Sequence, residues 1–86
     1  MIIVIKASSE WCPPCRVYEP IFDQVKEELS DVEFRKFDVD STPDWTIKYK
    51  INSIPTTIIL KDGVEVNRFS GVKSKKQLID TINSFK

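Results

Sequence analysis

The chemistry of this sequence concentrates in Trp11-Cys12-Pro13-Pro14-Cys15, where two cysteines stand three residues apart. On a helix that spacing puts both side chains on one face, one turn from each other. A pair so placed supplies both thiols of a disulfide exchange: Cys12 attacks and is left in a mixed disulfide, and Cys15 then displaces the bound partner. Attack requires thiolate. The motif falls where an apolar strand runs into a long helix, so Cys12 should sit at the helix N-terminus, beside unpaired N–H groups and the positive end of the dipole. Arg16 adds a positive charge nearby. Pro13 and Pro14 are tolerated in a first turn, although each removes a donor from it.

Two other uses of the pair are weaker. Two cysteines are too few for a disulfide framework, and a separation of three closes too short a loop to constrain the unfolded chain much. A tetrahedral zinc site needs two more thiolates or imidazoles, and the sequence has no third cysteine and no histidine. No metal is expected, whether held by one chain or bridged between two.

The elements that must position this motif can be read from periodicity. Residues 2–7 form an apolar strand, and Val17, Tyr18, Ile21, Phe22, Val25 and Leu29 recur at helical spacing between Pro13 and Leu29. Pro20 lacks the N–H for one ladder bond of that helix, so a kink is expected. Residues 33–38 read as a second strand anchored by Phe34 and Phe37. Ser41-Thr42-Pro43 places a capping hydroxyl before a proline, predicting a short helix from Pro43 to Tyr49. After a loop over Asn52–Pro55, Thr56–Leu60 is β-branched, and Lys61-Asp62-Gly63 turns it into Val64–Asn67 as a hairpin. Ser74 and Gln77 form a capping box for a last helix that carries Leu78, Ile79, Ile82 and Phe85. The order is βαβαββα: a four-stranded mixed sheet, parallel across the crossover and antiparallel in the hairpin, with helices on both faces. Phe22, Phe34, Phe37, Phe69 and Phe85 read as core, and Trp45 and Tyr49 as pins for the second helix.

Length and charge limit what the chain does. Eighty-six residues leave no room for a second core, so residues 1–86 are read as one domain. Apolar residues at 41% and charged ones at 30% exclude a disordered or fibrous chain. Thirteen basic and thirteen acidic residues cancel, so nothing draws nucleic acid or an anionic membrane beyond a local group at Lys73, Lys75 and Lys76, read as a solvated helix end. Lys6 ends the first apolar run well short of a leader or a spanning helix, which makes the cytoplasm the expected compartment.

The sequence is similar to the thioredoxin family through Glu10-Trp11-Cys12-Pro13-Pro14-Cys15, Phe37-Asp38-Val39-Asp40, Ile54-Pro55-Thr56, Lys61-Asp62-Gly63 and Gly71, which together run through nearly the whole chain. The resemblance implies a thioredoxin-like α/β fold in which Cys12 is the exposed attacking cysteine and Cys15 the buried resolving one. Trp11 and Pro13 would flank the dithiol. Ile54-Pro55-Thr56 would be a cis-proline loop whose backbone pairs with an extended substrate segment, a form of strand addition. Gly71 and Val72 would complete an apolar substrate surface. Implied partners are disulfide-bearing proteins and, as reductant, thioredoxin reductase or a glutathione system. No bound cofactor is implied, and a monomer is expected.

Three departures from the family pattern stand out. The usual first strand and helix are lacking. The dipeptide between the cysteines is Pro-Pro rather than Gly-Pro. Lys6 occupies the position of a buried carboxylate that assists proton removal from the resolving cysteine, which leaves water or Glu10 to take that proton and deprives Lys36 of its familiar partner. Lys6 either holds its ammonium toward the thiols or runs along the strand to water, and the second is favoured because an unpaired buried charge is costly. Lys6, Arg16 and Lys36 are therefore candidates for tuning the thiols. The expected activity is reduction of protein disulfides; the alternatives are a binding subunit in which the dithiol is incidental, or a glutaredoxin-like or oxidant dithiol protein.

Overall fold

The first apolar run becomes the inner strand β1 (Ile2–Ser8), and it is apolar without interruption up to Lys6 because both of its faces are covered. In the computed structural model, which describes residues 1–86, β1 lies between β2 (Glu33–Asp38), parallel to it, and β3 (Thr56–Lys61), antiparallel. Strand β4 (Val64–Ser70) pairs antiparallel with β3, giving the order β2-β1-β3-β4. The turn between β3 and β4 uses positive φ at both Asp62 (52°) and Gly63 (84°), the conformation that two-residue hairpins require. Beyond it the register slips, Ile59 facing Asn67 while Leu60 faces Glu65, so Val66 is the extra residue of a bulge.

Helix α1 (Pro13–Glu28) covers one face and α2 (Pro43–Lys48) the other, as expected for a layered α/β fold. Tyr18, Phe22 and Val25 of α1 are wholly buried against Val4 and Ile59, together with Leu78 and Ile82 of α3 (Lys75–Asn83). Full burial of such side chains contributes roughly 1.5–3 kcal/mol each. α1 remains one helix through Pro20, which lies on its exposed side. On the opposite face Ile5, Ala7, Phe37 and Ile58 form a smaller cluster, closed by Trp45 and Tyr49 at 5.5 and 6.2 Å from the Phe37 ring.

The predicted capping box at Ser74 and Gln77 is present in both directions. The cap expected at Thr42 is not: Thr42 occupies the N-cap, but with φ −130° and ψ 66° its hydroxyl accepts no bond from the first turn. Strand β4 also runs three residues beyond Asn67, because Arg68, Phe69 and Ser70 find partners in Ile58, Thr57 and Thr56.

Candidate functional site

The dithiol sits at the start of α1, and its local geometry follows from the two prolines. Cys12 is the N-cap, with extended φ and ψ (−94°, 108°), and Pro13 and Pro14 fill the first two helical positions without contributing an N–H. The first side-chain capping bond therefore comes from Cys15, whose N–H donates to Cys12 Sγ at 3.3 Å, while Arg16 N–H donates to the Cys12 carbonyl at 3.2 Å. A sulfur that accepts a backbone N–H at a helix N-terminus is placed where negative charge is stabilised. The two sulfurs are bonded to each other, with Cα atoms 5.2 Å apart.

In this disulfide state Cys12 is not the exposed partner that the family resemblance implies. It is 4% exposed and Cys15 3%, so the two are equally covered. The reason is the packing of the N-cap: Cys12 Sγ is linked to Cys15 and lies 3.9 Å from the Ile54 carbonyl oxygen. The Ile54-Pro55 peptide is cis, with Pro55 buried and Ile54 half-buried. Thr56, also buried, donates from its hydroxyl to the Ser53 carbonyl at 2.6 Å and thereby closes the loop. Gly71 donates its N–H to the Pro55 carbonyl at 2.9 Å from a φ of +88°, a conformation that favours glycine, and Val72 follows it at the surface.

Trp11 is 66% exposed beside the dithiol, yet it is anchored. Its Nε1–H donates to Asp40 Oδ2 at 2.7 Å, and Ser9 Oγ donates to the same oxygen at 2.9 Å. Asp40 was visible in the sequence as part of Phe37-Asp38-Val39-Asp40 but carried no assignment there; its place just beyond β2, parallel to β1, is the signal that would have found it. Trp11, Val39, Thr46 and Ile54 line a shallow groove of about 220 Å³ on this side. Pro13, the first residue of α1, is exposed.

A second, polar cleft of about 160 Å³ opens on the other side of the dithiol, lined by Ser8, Ser9, Glu10, Cys15, Arg16, Glu19 and Asp38. Arg16 lies at the surface with its Nε–H donating to the Glu10 carbonyl at 3.0 Å. Lys6 corrects the sequence reading: it does not reach water but is 0% exposed, with its ammonium on Glu19 Oε2 and 5.1 Å from the Phe22 ring centre. The charge is tolerated in the interior because α1 brings a carboxylate down to it. Lys36, at the surface, has its own partners in Glu19 and Asp23, each at 2.5 Å. Burial pulls the Lys36 ammonium down, but hydrogen bonds to Asp23 and Glu19 outweigh this and hold it above the ordinary lysine value. Glu19, absent from the sequence-level candidates, was discoverable only as the residue one turn beyond Cys15.

Comparison with known proteins agrees with this geometry. Residues 1–84 match the family model for thioredoxin. The thioredoxin of Chlamydia trachomatis serovar D is 40% identical over 82 residues, covering 95% of this chain and 80% of that protein. The thioredoxin of Chlamydia caviae is 39% identical over the same shares. Among solved structures, the X-ray structure of Fasciola hepatica thioredoxin superposes with a TM-score of 0.92 at 39% identity, covering 99% of this chain and 81% of that one. No helix is long and apolar enough to cross a membrane.

Proposed function

The chain belongs to the thioredoxin family of dithiol–disulfide oxidoreductases, and from that premise we propose that it works as a reductase of protein disulfides. The observation that carries the reading is Cys12 at the N-cap of α1, accepting the Cys15 N–H and bonded to the Cys15 sulfur. Cys12 as thiolate attacks one sulfur of a substrate disulfide and releases the other as substrate thiolate. Cys15, giving its proton to water, then attacks Cys12 Sγ; the mixed disulfide breaks, the second substrate thiolate leaves, and Cys12–Cys15 is the new disulfide. Two electrons have passed to the substrate, and an external dithiol donor must return two. Thioredoxin reductase is the proposed donor, with a glutathione system as the other candidate.

Trp11, Pro13, Ile54, Pro55, Thr56, Gly71 and Val72 are proposed as the surface that receives the substrate. The Ile54 carbonyl oxygen near Cys12 Sγ supports pairing of an extended segment along this loop. The step needs no bound cofactor or metal. We place the protein in the cytoplasm, where a reducing poise lets the dithiol turn over, and take it to act as a monomer.

The test is turnover of a disulfide-bearing protein such as insulin, supplied with thioredoxin reductase and its nicotinamide donor. Cys12→Ser should abolish it, and Cys15→Ser should trap the mixed disulfide on Cys12. Equilibration in defined thiol buffers should give a potential near the usual thioredoxin value of about −270 mV. A value near about −120 mV would reverse the proposed direction of electron flow. Full biological activity in Cys12→Ser would make the protein a binding subunit instead.

A further inference from the structure

The Lys6 side chain is a wholly buried charge that the exchange steps described above do not use. A buried ammonium is costly unless it is paired. Its partner, Glu19, stands one helical turn beyond Cys15 on the same face of α1. Glu19 and Cys15 also line one polar cleft. Lys6 is thus tied to a carboxylate that shares the immediate surroundings of the resolving sulfur.

Glu19 has two conceivable roles there, proton acceptor or counterion. Burial raises its carboxyl, but hydrogen bonds from Lys36 and Lys6, with their charges, outweigh this and hold it below the ordinary glutamate value. A carboxylate held ionised by two ammonium groups is a weak proton acceptor. As a counterion it is well placed, since Lys36 has a second carboxylate in Asp23 and Lys6 has only Glu19. The two lysines and two carboxylates sum to zero charge.

We propose that Glu19 sets the redox poise of the Cys12–Cys15 pair by neutralising Lys6, whose charge would otherwise stabilise thiolate at the dithiol. The disulfide is uncharged and the reduced form carries thiolate, so an unopposed positive charge favours the reduced form and makes the pair more oxidising. Removing the Glu19 charge leaves the cluster at plus one. Removing Lys6 leaves it at minus one, with the opposite effect. Glu19 and Lys6 are positioning residues in this scheme and touch no substrate.

The inference rests on the dithiol reading, and its test separates the two. Purified wild type, Glu19→Gln, Lys6→Met and the double variant are equilibrated in defined thiol–disulfide buffers, and free thiols are counted by alkylation. Glu19→Gln should shift the equilibrium toward the dithiol by several-fold to about tenfold, the latter equal to about 30 mV in the oxidising direction. Lys6→Met should shift it the other way, and the double variant should return to within about twofold of wild type. Glu19 is partly exposed, so Glu19→Gln should fold and decides the matter even if Lys6→Met does not. An equilibrium in Glu19→Gln that is unchanged or shifted toward the disulfide overturns the proposal. So does slower resolution at unchanged potential, which marks a proton acceptor. A wild type that fails to cycle defeats the functional reading itself.

Discussion

The two faces of the sheet are built from neighbouring residues of the same strands, yet they differ in kind. On the α2 face Ile5, Ala7 and Ile58 meet Phe37, and Trp45 and Tyr49 close over them. On the α1 face Val4 and Ile59 begin an equally apolar layer under Phe22, Val25, Leu78 and Ile82. Two residues further toward the dithiol, that layer turns polar. Lys6 and Thr57, partners across β1 and β3, are both wholly buried there. Each is matched by a residue of α1 one turn from Cys15: Glu19 for Lys6, and Tyr18, whose hydroxyl shares a 2.8 Å hydrogen bond with Thr57 Oγ1. The interior of the α1 face is thus polar and satisfied at its dithiol end, while that of the α2 face is only packed. Stability on the α2 face should answer to volume alone, and on the α1 face to charge and protonation as well.

The largest effect should come from the packed face. Phe37→Ala should lower stability by about 3–5 kcal/mol in urea unfolding, since it empties the centre of the smaller cluster. The potential of the dithiol in that variant should match wild type; a shift of more than about 10 mV, roughly twofold in the exchange equilibrium, would blur the distinction between the faces.

Alkaline pH should expose the polar face next. Burial raises the Tyr18 hydroxyl to about 12, against a smaller lowering by its hydrogen bond with Thr57. Tyrosine in the unfolded chain titrates near 10. The unfolded state therefore loses its proton first, and the stability tied to Tyr18 is complete below about pH 10 and is lost as pH rises toward about 12. The loss should be on the order of 2 kcal/mol. Tyr18→Phe should flatten this slope relative to wild type, and an equally steep slope in that variant would count against Tyr18 as its origin.

The smallest effect is a control. Ile58→Val and Ile59→Val remove one methylene from opposite faces, and each should cost about 0.5–1.5 kcal/mol. A difference between them well beyond that range would mean that the faces already differ where both are apolar.

Much of the fold was legible because it is local. The Asp62-Gly63 turn, the Ser74 and Gln77 box and the spacing of Tyr18, Phe22 and Val25 each depend on residues within one or two turns of each other. The two cysteines were legible for the same reason, whereas the cis Ile54-Pro55 loop was expected only through the family resemblance. Lys6 was not, because its fate depends on Glu19, thirteen residues away on another element. An unpaired lysine at that position would run to water; only the docking of α1 supplies the pair. The end of β4 was missed because Arg68 and Ser70 are strand residues by virtue of what lies opposite them. Thr42 had the right type for a cap but the wrong backbone angles, which a sequence does not display.

The order β2-β1-β3-β4 leaves a strand at each margin with backbone groups free to recruit another chain. The two margins are guarded by different means. On β2 each phenylalanine is flanked by charge, Phe34 by Glu33 and Arg35 and Phe37 by Lys36 and Asp38, so an incoming strand would meet charge beside every apolar residue. On β4 the extra residue Val66 breaks the regular ladder, and Glu65 is held by Arg68 at 2.8 Å. Margins guarded in this way hinder edge-to-edge pairing with the sheet of another molecule, so the two outer strands carry a defence that the two inner ones do not need.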